Sequence, residues 1–155
     1  MTPSPPASVR LSISVAVDPH AAFEVFTEEI DAWYRRGPHN FADPERAVGI
    51  RFEPGVGGRL IEVYDARTGD GLEIGEIVVW EPGSRLVFVD RRKTEVDVRF
   101  EPDGDRATRV TLEHRGLERL MPDDAVRHAK FGGQLLLKWY GAFLRQRTST
   151  REEST

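Results

Sequence analysis

Apolar and polar residues alternate at the start of the chain. Val9, Leu11, Ile13, Val15 and Val17 share one parity, and Arg10, Ser12, Ser14 and Ala16 the other, which predicts a half-buried strand. Asp18-Pro19 then supplies a helix cap followed by proline at the first helical position. Ala22, Phe23, Phe26 and Ile30 follow at helical spacing, and a second short helical piece carries Ala32, Trp33 and Tyr34. The segment RRGPHNFADPE has the breakers of a loop.

Six further strands are expected near 47–53, 58–65, 72–81, 84–91, 94–102 and 106–115. They are separated by Pro54-Gly55, Thr68-Gly69-Asp70-Gly71, Pro82-Gly83 and Pro102-Asp103-Gly104-Asp105. Links this short pair neighbours antiparallel, as a meander. From about Pro122 the period changes. Phe131, Leu135, Trp139 and Phe143 recur every four residues, flanked by Leu136, Leu137, Tyr140 and Leu144, which predicts one long helix with a broad apolar face. The expected class is α+β: a curved antiparallel sheet of about seven strands wrapped around a long C-terminal helix, with two short helices after the first strand. Residues 8–147 form one domain in this reading. Residues 1–7 and 148–155 are expected to be disordered tails, because MTPSPPA and TSTREEST carry too little apolar area to order themselves.

Composition narrows the functional classes. The chain has 155 residues, a net charge of -4 and no cysteine. An acidic domain is a poor match for a phosphate backbone, so nucleic acid is not an expected partner. The lack of cysteine excludes disulfides and thiol chemistry. No apolar run is long enough to span a bilayer, and the N-terminus lacks the apolar core of a secretory signal. The expected location is the cytoplasm.

The order of elements, together with several short stretches, resembles the START-like (SRPBCC) superfamily with its helix-grip fold, in the branch of the activator of the heat-shock-protein ATPase. The stretches are Phe23-Glu24-Val25-Phe26-Thr27 leading to Trp33, and Gly57-Gly58-Arg59-Leu60. They continue with Gly75-Glu76-Ile77-Val78 running to Glu81-Pro82-Gly83-Ser84-Arg85-Leu86-Val87-Phe88, and end with Thr108-Arg109-Val110-Thr111-Leu112-Glu113-His114-Arg115-Gly116-Leu117. These are turns and packing positions, so they speak to fold more than to activity. Family members often carry a second tryptophan where this chain has Tyr34. The resemblance implies a cavity between sheet and last helix, and supplies no catalytic residue. By name it suggests a chaperone partner, for which the sequence has no distinct motif.

The candidate lining of such a cavity comes from strand parity and the aromatic set: Phe23, Phe26, Trp33, Tyr34, Leu60, Glu62, Tyr64, Ile74, Glu76, Val78, Phe88, Val98, Leu112, Phe131, Leu135 and Trp139. Glu62 and Glu76 share the parity of these apolar residues. They either sit at a solvated rim through a slipped parity or a bulge, orient a ligand, or pair with an arginine such as Arg51 or Arg59. Val63, Ile77, Val79, Val87 and Val89 fall on the outward parity and offer a sheet face for a homodimer, the alternative to a monomer. Gly132-Gly133 opens the last helix at a cost of roughly 1–2 kcal/mol relative to alanine. It marks a kink, a close helix–sheet contact or room for a ligand. His20, His39, His114 and His128 make no zinc-binding spacing, so no metal or cofactor is expected. His114 ends a strand as a hydrogen-bonded residue or acts as a pocket acid or base. Three functions follow in order. The first is a binding protein for a hydrophobic or amphipathic small molecule. An aromatase/cyclase-like enzyme using Tyr34, Glu62, Glu76 or His114 is the second, and a co-chaperone-like interaction domain the third.

Overall fold

The computed structural model describes residues 7–35, 41–127 and 133–153. Strand β1 (Ser8–Val15) leads into α1 (Pro19–Glu28) and the single turn α2 (Ile30–Trp33). Six strands follow: β2 (Gly49–Phe52), β3 (Arg59–Val63), β4 (Gly71–Glu81), β5 (Arg85–Asp90), β6 (Glu95–Pro102) and β7 (Thr108–Arg115). A 3₁₀ turn (Leu117–Arg119), α3 (Pro122–Arg127) and α4 (Gly133–Glu153) complete the chain. The strands form one antiparallel sheet in the order β1-β7-β6-β5-β4-β3-β2. The expected meander and its α+β class are what the molecule has, with β1 returning to pair β7.

Local chemistry explains the turns and caps. The Asp18 carboxylate accepts the Ala21 N–H at 2.8 Å, capping α1. Gly83 and Gly104 hold positive φ in the β4–β5 and β6–β7 turns, a backbone region that costs a residue with a Cβ more than glycine. Across the sheet the inward residues line up in rungs. Leu11, Leu112, Val98, Leu86 and Trp80 form one rung, and Val9, His114, Val96, Phe88 and Ile77 the next.

Two register shifts change the parity within β4. Ile74 is an extra residue opposite β3, and Val78 an extra residue opposite β5. Between these bulges the odd-numbered residues face inward. Ile77, expected on the outer face, is fully buried inside, while Val78 is 40% exposed. Glu76, expected inside, is exposed opposite Arg59 and Val89. Beyond the bulges the even parity returns, so Leu72 pairs with the inward Glu62 and Trp80 with the inward Leu86.

The α4 helix also turns a different face inward. Its buried stripe is Leu137, Tyr140 and Leu144 with Gly133 and Gly141, leaving Leu135, Trp139 and Phe143 half-buried. The glycines set this rotation. A Cβ on Gly133 would stand 2.8 Å from the Leu112 side chain and 3.1 Å from that of Leu11, and one on Gly141 would stand 3.1 Å from Ile13. The helix therefore lies with its backbone against β1 and β7. Phe131 and Gly132 lie outside the described residues. The backbone of α4 is helical to Glu153, where a polar tail was expected to start at 148. Extending an anchored helix costs far less than nucleating one.

Candidate functional site

The inner face of the sheet has a filled part and a less covered part. At the end near α1, Phe23, Phe26, Trp33, Phe100 and Tyr140 are buried together. Their ring centroids lie 5.0–5.9 Å apart, mostly edge to face, a favourable aromatic geometry. Polar atoms here are satisfied. The Trp33 indole donates to the Val25 carbonyl at 3.1 Å and the Tyr140 hydroxyl to the Ala22 carbonyl at 2.7 Å. Burial pushes the Tyr140 phenol well above its ordinary range. Phe23 and Phe26, expected as pocket lining, are core residues.

Toward β3 and β4 the wall is less covered. Leu60 and Phe88 here, like Val98 and Leu112 on the strands beyond, are buried in the core cluster, whereas Ile74, Tyr64, Leu136 and Trp139 pack against it while keeping some exposure. Glu62 stands on this wall and is fully buried. Its carboxylate accepts the Ala42 and Asp43 N–H groups at 2.6 and 2.9 Å and the Tyr64 hydroxyl at 2.5 Å. It therefore sits neither at a solvated rim nor in an arginine pair. It pins the segment that enters β2, whose Phe41 is buried against Tyr34 at a ring distance of 5.6 Å. The bond to Glu62, with some burial, pushes the Tyr64 phenol up to about 12. Burial first, and the Glu62 charge second, push Tyr34 to about 12. Arg46 covers the Tyr64 ring at 4.4 Å.

His114 faces inward at the end of β7 and is buried. Its Nε2 lies 2.8 Å from the Thr94 hydroxyl, which donates to Asp90 at 2.7 Å. That hydroxyl's proton is committed to Asp90, so Nε2–H is the donor in the other bond. The sequence shows His114 alone; its partners in the β5–β6 turn come from the fold.

Between α2 and α4 an open cleft of about 340 Å³ is lined by Ala32, Trp33, Tyr34, Arg35, Trp139, Ala142, Phe143 and Gln146. Tyr34 and Trp139 meet edge to face at 5.6 Å along it. Strand parity could not reveal this cleft, since it depends on how α4 is rotated. Among the described residues, no group of three His, Cys, Asp or Glu side chains is placed to hold a metal, and no helix is long and apolar enough to cross a membrane.

On the outer face, Asp97 is 1% exposed. Arg85 gives it two hydrogen bonds, at 3.1 and 2.8 Å, and Arg115 a third at 3.0 Å. Arg99 stands 3.7 Å away. Burial works to raise its pKa, but the two arginines outweigh this and hold the carboxyl below its ordinary value. Neither Asp97 nor this network was singled out from the sequence, because three of its partners lie on neighbouring strands or two residues away.

No protein-family model matches the chain, and no curated protein matches it. Solved structures do. The anthrahydroquino-gama-pyrone synthase Txn09, complexed with SUM, is 31% identical over 91% of this chain and 99% of its own, with a TM-score of 0.59. CalC, a self-sacrificing resistance protein from Micromonospora echinospora, is 25% identical over 90% and 95%, at 0.57. The AHSA1-like protein from Aeromonas hydrophila is 22% identical over 90% and 94%, at 0.63, a likeness of fold. The chain belongs to the START-like (SRPBCC) superfamily, whose solved members include a synthase and a resistance protein.

Proposed function

We propose that this protein binds a hydrophobic or amphipathic small molecule, of fused-ring aromatic type, between the inner wall of β3–β5 and α4, acting in the cytoplasm. The observation that carries the reading is the uneven covering of the inner face. Large apolar side chains at Ile74, Leu136 and Trp139 pack against the core yet keep exposure, and apolar walls with few polar groups suit ligand sites. The identity to a synthase of a polycyclic aromatic product supports the ligand class.

The test is a thermal-shift and calorimetric titration with fused-ring aromatic compounds of two to four rings. A rise in Tm and a saturable heat are expected, both lost when Ile74→Trp fills the wall. Saturable binding that Ile74→Trp leaves intact would place the ligand elsewhere and defeat this reading.

A second reading, an aromatase/cyclase-like enzyme in the same space, is favoured by the inward His114 with its Thr94–Asp90 relay. Such a relay sets the tautomer of a histidine that moves protons. In this reading Glu62 is a scaffold, since its oxygens are occupied by the chain itself. His114→Ala abolishing turnover of a poly-β-ketone substrate while leaving product binding unchanged would support it. Turnover unchanged in that variant would remove it.

A further inference from the structure

We infer that the free edge of β1 is a docking site for an extended, acidic segment of a partner protein, added to the sheet as a further strand. β1 ends the sheet and pairs with β7 alone, in an unbroken register from Ser8–Arg115 to Val15–Thr108. The Ala7 carbonyl accepts the Leu117 N–H at 2.9 Å, and the Val17 carbonyl accepts the Thr108 hydroxyl at 2.7 Å. Odd-numbered residues thus turn their main-chain groups toward β7. Those of Ser8, Arg10, Ser12 and Ser14 face away from the sheet, and all four residues are exposed. The opposite edge is closed: β2 has four residues, and its Ile50 N–H is taken by the Asp31 carboxylate at 3.1 Å. β1 has eight residues, with no proline, no bulge and no inward charge, the devices that blunt an edge.

The flanks of the edge select its partner. On the inner side Val9, Leu11 and Ile13 keep part of their surface exposed, and offer apolar contacts to alternate side chains of an added strand. Helix α4 packs on this strand. A Cβ on Gly141 would lie 3.1 Å from Ile13 and 3.4 Å from the Arg145 guanidinium, which puts that cation on the β1 side of the helix. Lys138, two helical turns earlier, shares its stripe and is exposed. Arg10, Lys138 and Arg145 form no ion pair among the described residues. Neither Ser8–Val15 nor Gly133–Arg147 contains an acid. The carboxylates that border β1 are engaged: Glu113, across from Arg10, pairs with Arg115 at 3.3 Å, and Asp103 accepts the Ser14 hydroxyl at 3.0 Å. A second copy docked on the same edge would bring two cationic stripes together, which like-charge repulsion opposes. An acidic strand meets them with the opposite sign.

The experiment uses the whole protein and a capped octapeptide that alternates glutamate with valine, read by fluorescence anisotropy and by hydrogen exchange at single amides. Bound peptide should slow exchange at Arg10, Ser12 and Ser14 about tenfold, the mark of new ladder bonds rather than of loose charge attraction. Methylating the peptide's main-chain nitrogens at alternate residues should weaken binding about tenfold in one phase and less than about twofold in the other, because a strand joins by one edge. This arm leaves the protein untouched. Lys138→Glu together with Arg145→Glu, both at exposed helix positions, should weaken the peptide about tenfold, and Arg10→Gln about threefold. A lysine–valine octapeptide should bind about tenfold more weakly than the acidic one. Binding that ignores which nitrogens are methylated and leaves the β1 amides unprotected overturns the inference. No binding of the acidic peptide overturns it as well. Protection of the same amides in a concentration-dependent dimer would give the edge to a second copy, and overturns it too.

Discussion

Two carboxylates, one on each face of the sheet, are buried in opposite ways. Glu62, on the inner face, is held by neutral donors: two main-chain N–H groups and a phenol. Asp97, on the outer face, is held by guanidinium groups whose side chains are themselves 31–49% exposed. Burying a carboxylate is costly without partners, and the two faces meet that cost differently. The inner solution is geometric. It exists only when the segment after residue 40 is in place, so Glu62 ties a crossing loop to the inner face of the sheet. The outer solution is Coulombic, supplied by flexible side chains that remain in reach of water and salt. The face that the proposed ligand would meet thus keeps its charge locked up, and the face turned away from it carries a charge network open to its surroundings.

The most disruptive way to probe this contrast is Glu62→Gln. The amide group would confront a main-chain N–H with another donor, and a charge-assisted bond would be lost. Urea unfolding should show a loss of about 3 kcal/mol, with little change between 50 mM and 500 mM salt. Asp97→Ala should cost less, about 2 kcal/mol, because the released arginines rehydrate. That loss should shrink in high salt. Equal salt sensitivity in the two variants would erase the distinction. Tyr64→Phe removes one of the three donors to Glu62 and should cost about 1 kcal/mol. The smallest effects are in pH. The folded pKa of Asp97 is depressed, so its stabilisation is present above about pH 4 and is lost as pH falls through the folded value; Asp97→Asn should flatten that acid limb. Tyr34 and Tyr64 are raised to about 12, so their share is full below about pH 10 and is lost as pH climbs toward 12. Tyr64→Phe should flatten that alkaline limb. An acid limb that persists unchanged in Asp97→Asn would show that another group carries it.

The strand order and class were legible because the turns are short and glycine- or proline-bearing, and because β1, β6 and β7 alternate without interruption. Val98 and Leu112 were placed inward correctly for that reason. Glu76 and Val78 were misplaced because parity counting assumes one side-chain reversal per residue, and each bulge in β4 breaks that count. Leu72 and Trp80 share one parity only because the second bulge undoes the first. The α4 face was misjudged on its large residues. Its position is governed by Gly133 and Gly141, which let the helix backbone approach, and a count of apolar side chains gives glycine no weight. The Glu62 latch and the Asp97 network join residues up to 20 positions apart; single-chain periodicity carries no information at that range.

The extra residue at Val78 has a consequence for how this wall can change over time. Removing it would leave Ile77 and Trp80 on the sides they occupy now, since the spare residue only interrupts the count between them. What would be lost is the local bend and added coil that such an insertion gives a strand. The bend of the strand and the identity of its inward side chains are thus written at separate positions, and a descendant could change one without rewriting the other.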